Sequence, residues 1–177
     1  MNRLALGATL SLCLGVLQAT TLTQASLDDL IRKSTAIVRG KVVSTRSALR
    51  GSLVNTYVKV TVLERWKGPV EPSVEVVLPG GTVGGVNQDI AGVPDVDPGV
   101  EYVFFLWTGK SGAHHLLGLS QGVFDITLNG QGQRMVSRGR VDAVLIDAAG
   151  RVVRDEPVTL RLSEFSTRVR ETLGGKR

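Results

Sequence analysis

The segment nearest to a catalytic motif is Gly118-Leu119-Ser120-Gln121-Gly122, which fits G-x-S-x-G. In nucleophile-elbow hydrolases that spacing sets a reactive serine on a strained turn between a strand and a helix. Here the following residues, Val123-Phe124-Asp125-Ile126-Thr127-Leu128, read as a strand. No histidine follows Ser120 to act as base in the order serine, acid, histidine, because His114 and His115 both precede it. A glycine-flanked bend is therefore the expected role of the motif. A small secreted serine hydrolase using Ser120 with His114 or His115 is the alternative. Neighbouring residues on a strand face opposite ways, so the two histidines are not expected to share a metal ion.

Oxygen ligands are the next chemistry to weigh. Asp89, Asp95, Asp97 and Glu101 lie in or beside a Gly-rich stretch, and hard carboxylates on an exported loop could hold calcium, yet their spacing matches no calcium-loop pattern. Turn-forming aspartates ahead of Pro98-Gly99 are the plainer reading. Pro79-Gly80-Gly81-Thr82-Val83-Gly84-Gly85 lacks the lysine and the helix entrance that a phosphate cradle needs. The sequence therefore assigns no catalytic residue, cofactor or metal. What it does offer is length: residues 79 to 100 hold six glycines, three prolines and three aspartates, too much turn chemistry for a regular element. Connections beyond about 12 to 15 residues usually bind something or are disordered. The candidate binding loop comprises Gly80, Gly81, Gly84, Gly85, Asn87, Gln88, Asp89, Asp95 and Asp97, with Val83, Val86, Ile90 and Val93 expected to tuck underneath; a structural flap that covers one open end of the barrel is the alternative reading of the same segment.

The rest of the chain must position that loop. It has 177 residues, 42% of them hydrophobic and 21% charged, as expected of a single globular domain. Met1-Asn2-Arg3 followed by the apolar run Leu4 to Leu17 has the layout of a signal peptide, expected to span residues 1–19 with cleavage after Ala19. The run is too short for a lasting membrane anchor. A secreted or periplasmic protein is the expectation. Cys13, the one cysteine, falls inside that segment, so the remaining chain has neither disulfides nor thiolate chemistry. A net charge of +5 is a mild excess. With 5% aromatic residues and export from the cytoplasm, nucleic acid is not an expected partner. An envelope or extracellular protein is.

From Ser26 to Ser34 a capped start and charge order (Asp28, Asp29, then Arg32, Lys33) predict a short helix. The period then becomes two. Strands are expected at 36–43, 56–62, 74–78, 101–107, 115–119, 123–128, 141–146 and 152–153, and Val58, Val60 and Val62 should face a core while Lys59 and Thr61 face water. An amphipathic helix over 163–173 is stopped by Gly174-Gly175. The expected fold is mainly β, a small barrel or sandwich over residues 20–177 with a helix at each end.

Residues 34 to 108 carry a resemblance. Ser34-Thr35-Ala36-Ile37-Val38-Arg39-Gly40-Lys41-Val42, the strand 54–63, the Trp66-Lys67-Gly68-Pro69 turn and Glu101-Tyr102-Val103-Phe104-Phe105-Leu106 resemble the order of elements in netrin-like domains, which include the tissue inhibitors of metalloproteinases. They are also similar to uncharacterised exported bacterial proteins that share the aromatic-Lys-Gly-Pro turn and a Gly-rich segment. The resemblance implies an OB-like (netrin-like) β-barrel. It does not carry inhibition across, because those inhibitors chelate zinc through an N-terminal disulfide-bonded Cys, and no Cys follows residue 19. Together these readings predict an exported, non-enzymatic binding or interaction domain.

Overall fold

The structure is a computed structural model that describes residues 20–69 and 71–175. The expected signal peptide lies outside the described residues. Among them, no helix is long and apolar enough to cross a membrane.

In chain order the elements are β1 (Thr21–Thr23), α1 (Leu27–Lys33), β2 (Ala36–Arg50), β3 (Leu53–Lys67), β4 (Ser73–Pro79), β5 (Gly81–Val83), β6 (Val86–Gln88), β7 (Glu101–Thr108) and β8 (His114–Leu116). A 3-10 turn (Leu119–Gly122) leads to β9 (Val123–Leu128), β10 (Arg134–Arg138), β11 (Val144–Ile146), β12 (Val152–Val153), β13 (Val158–Arg161) and α2 (Leu162–Gly174). The architecture is mainly β with a C-terminal helix.

Five strands close on themselves in the order β7-β2-β3-β4-β8, with β8 returning to β7. Every pairing in this ring is antiparallel except β4 with β8. Closure needs bent strands, and β2 and β3 supply them through register shifts at Ile37/Val38, Arg39/Gly40 and Val42/Ser44. At one shift the backbones meet so closely that a Cβ on Gly40 would lie 2.8 Å from the Thr61 carbonyl oxygen. The same sheet continues outside the ring through β9, β10 and β13, while β1, β11 and β12 form a separate three-stranded sheet.

Strand alternation separates two cores. Val38, Val42, Val58, Val60, Val76, Phe104, Leu106 and Leu116 fill the ring. Their β7 neighbours Val103 and Phe105 point outward and meet Leu30, Ile31, Phe124, Val136, Phe165 and Val169 beneath the two helices. Because both faces of β7 are covered there, its sequence reads as an unbroken apolar run rather than an alternating one. Phe105, Phe124 and Phe165 meet pairwise at 5.4 to 6.1 Å between ring centroids, and each contact adds about 0.5–1.5 kcal/mol beyond area burial. Ser26 caps α1 by accepting from the Asp29 amide at 3.1 Å, while the Asp29 carboxylate accepts from the Ser26 amide at 3.3 Å.

The structure departs from the sequence expectations in three places. The stretch 79–100 is not devoid of regular structure, for Gly84 and Gly85 adopt φ of 57° and 81° and turn β5 back onto β6. Val86, expected to tuck inward, is 64% exposed on that hairpin, whereas Val93 and Val96 pack on the ring core. Strands β1 and β10 carry too little apolar alternation to read as strands from sequence, and the four-residue β13, although Val158 and Leu160 alternate with Thr159 and Arg161, was not expected.

Candidate binding cleft

β2 and β3 outrun the ring, and the β5–β6 hairpin folds back over the inner face of their extension. A Cβ on Gly81, where φ is 126°, would collide with the hydroxyls of Ser47 and Thr56, so a glycine is what allows β5 to lie that close. Those hydroxyls share a hydrogen bond at 3.0 Å, and Thr56 also donates to the Gly80 carbonyl at 2.9 Å. From the far side of the hairpin, the Gln88 side-chain carbonyl accepts from the Val54 amide at 2.7 Å. The loop is thus pinned at both strands.

Between the pinned hairpin, the returning segment 89–96 and the strand ends lies a cleft of about 490 Å³. Six of the nine residues singled out from sequence line it: Gly80, Gly81, Asn87, Gln88, Asp89 and Asp95. Gly84 and Gly85 sit instead at the hairpin tip, with open space around them. Asp97 belongs to the ring entrance, where its amide donates to the Tyr102 hydroxyl at 3.1 Å. Thr45, Thr56 and Thr82 complete the polar part of the lining, and Ile90, Val93 and Val96 the apolar part. Two carboxylates and no Lys or Arg are present in this lining.

The four acids weighed as calcium ligands do not meet. Glu101 is held by Arg39 at 3.0 Å and by Arg134 at 3.4 Å, and no group of three His, Cys, Asp or Glu residues among the described ones is placed to hold a metal.

The G-x-S-x-G segment forms the 3-10 turn. Gly118 has φ of 71° and Leu119 of 54°, so the strained residue precedes the serine and β9 follows it, unlike a nucleophile elbow. The Ser120 hydroxyl is buried and makes no hydrogen bond; its amide donates to the Gly92 carbonyl at 2.9 Å. The His114 Nδ1 lies 3.1 Å from the Thr108 hydroxyl, and His115 stacks beside Trp107 with 5.5 Å between centroids. Serine and histidines are not joined. Burial, reinforced by the neighbouring His115, lowers the His114 pKa from its ordinary value.

Residues that sequence reasoning missed fix the turn and its surroundings. Gln121 is fully buried, accepting from the Ala25 amide at 2.8 Å and donating to the Thr23 carbonyl at 3.1 Å. Beside Ser120 a smaller hollow of about 210 Å³ is lined by Asp125 and Arg138 among others, and burial raises the Asp125 pKa. A buried glutamine or arginine gives no apolar signal, so only the fold reveals them. Comparison with protein-family models and with curated proteins finds no match for this chain.

Proposed function

We propose that this chain is an exported, non-enzymatic binding domain whose cleft takes a cationic segment of an envelope or extracellular protein. The observation that carries the reading is the charge of the cleft. In a chain of net charge +5, its lining places Asp89 and Asp95 among hydroxyls and amides with no cation to offset them. Carboxylates gathered in a concave, partly apolar site attract a positive group more strongly than they would on an open surface. The Thr45 hydroxyl and the Asn87 side-chain amide nitrogen, whose carbonyl accepts from Thr82 at 3.1 Å, supply polar groups for a backbone laid along the cleft.

The alternative of a serine hydrolase using Ser120 with His114 or His115 is disfavoured by the Ser120 hydroxyl, which has no base within hydrogen-bond reach. The architectural part, an OB-like barrel, is supported by the ring itself: numbered by their order within it, its strands run 1-2-3-5-4 and the only parallel contact is between the third and fifth. Export rests on the residues before Thr20 alone.

The test is calorimetric titration of the chain lacking residues 1–19 with a Lys/Thr decapeptide, repeated with Asp89→Asn/Asp95→Asn. The proposal expects affinity to fall at least tenfold in the double variant and to weaken with salt. Equal affinity in both proteins would refute it.

A further inference from the structure

A second surface, on the opposite side of the ring wall, is independent of that cleft. On β7 the outward face is covered by the helices at Val103 and Phe105 and emerges into solvent at Trp107, which is 48% exposed. Trp107 pairs directly with His115, His115 with Val77, Val77 with Tyr57, and Tyr57 with Arg46. These five residues form one row across all five strands of the ring. Their in-line neighbours Leu106, Leu116, Val76 and Val58 are buried inside, which fixes the row on the outer face.

The row is amphipathic along its length. The Arg46 guanidinium lies 4.2 Å over the Tyr57 ring and pairs with Glu75 at 3.0 Å. At the other end Trp107 and His115 stand at 36° to one another, presenting a tilted two-ring platform. Strands lie about 4.8 Å apart, so Tyr57 and Trp107, three strands apart, are separated by roughly 14 Å along the sheet. A groove of about 430 Å³ borders the row, lined by Tyr57, Val77 and His114 together with Arg50, Glu71 and Glu75. The acids and bases of the row and its groove balance: Arg46 and Arg50 against Glu71 and Glu75.

We propose that this face binds a neutral oligosaccharide, with Trp107, beside His115, as the stacking plane for one sugar ring, and with the Arg46 guanidinium, seated over Tyr57, and Glu75 as hydrogen-bonding partners for the next. A pyranose has an apolar C–H face and a rim of hydroxyls. It matches aromatic rings whose other side is wet, flanked by side chains that both donate and accept. The balanced charge disfavours a polyanion or polycation, and the only aliphatic side chain in the row is Val77, too little for an apolar protein interface. The length of the row selects an oligomer over a single sugar.

The experiment uses Trp66→Phe, which leaves Trp107 as the sole tryptophan. Soluble β- and α-linked oligomers of glucose and of N-acetylglucosamine are titrated while Trp107 fluorescence and amide shifts are followed. One series is expected to shift the Trp107 emission and to perturb residues 46, 57, 77, 107 and 115 together. Trp107→Ala should weaken that binding at least tenfold and Tyr57→Ala at least threefold, with circular dichroism unchanged because Trp107 lies outside the core. No response to any oligomer, a response mapping to other residues, or unaltered affinity in Trp107→Ala would each overturn the proposal.

Discussion

Arg138 and Asp155 form an ion pair inside the molecule: Nη2 of Arg138 donates to the Asp155 carboxylate at 2.9 Å, and the two side chains are only 4% and 11% exposed. The pair is a fastening as well as a neutralisation. The same Nη2 donates to the Glu156 carbonyl at 2.8 Å, and the other Asp155 oxygen accepts from the Val141 amide at 2.8 Å. The end of β10 is thereby tied to the segments before β11 and before β13.

Removing one partner leaves a buried charge without compensation. Arg138→Met is expected to cost about 3–5 kcal/mol in urea unfolding. Because Nε and Nη1 of Arg138 find no acceptor within the protein, the pair is only partly satisfied, and Arg138→Met/Asp155→Leu should regain most of that loss. A single variant within 1 kcal/mol of the parent would show the pair to be immaterial.

How much of this was legible in the sequence depended on whether apolar residues marked the buried positions. The helix α1 was readable from Ser26, Asp29 and the Arg32-Lys33 end, and the β3 register from Val58, Val60 and Lys59, because burial there follows side-chain chemistry. Strand β10 was not. Of its alternate inward positions, Val136 is apolar but the next, Arg138, is a cation whose cost is met by an aspartate seventeen residues away. In the binding loop, the polar lining residues were legible as a group. The roles of its glycines were not, since Gly81 serves close packing and Gly84-Gly85 a hairpin turn.

Those glycines should respond differently to a methyl group. Gly81→Ala meets both a positive φ and the Ser47 and Thr56 hydroxyls, and is expected to destabilise by about 2–4 kcal/mol. Gly85→Ala meets only a positive φ in open space, with an expected cost of about 1–2 kcal/mol. Denaturant midpoints of the two variants would check this, and an equal or reversed order would contradict the packing role given to Gly81.

The contact between the two helices sets a pH dependence. Arg168 donates two hydrogen bonds to Asp28, at 3.0 and 2.9 Å, and these bonds, against some burial, hold the Asp28 carboxyl below its ordinary value of 3.8. A depressed carboxylate contributes stability above its unfolded pKa and loses it as pH falls through the folded one. The parent should therefore exceed Asp28→Asn in melting temperature at pH 6, and the gap should close below about pH 4. A gap that is constant from pH 6 to pH 2.5 would remove the pair from the account.

Whether the cleft takes a cationic segment can be read from an amide-shift map. The ¹⁵N-labelled chain lacking residues 1–19 would be titrated with a Lys/Thr decapeptide and with a Glu/Thr decapeptide of equal length. Only the cationic peptide is expected to move signals, with the shifts clustered at Thr45, Thr56, Gly80 to Thr82 and Asn87 to Asp95. Equal responses to the two peptides, or cationic shifts that fall outside those residues, would contradict that reading of the cleft.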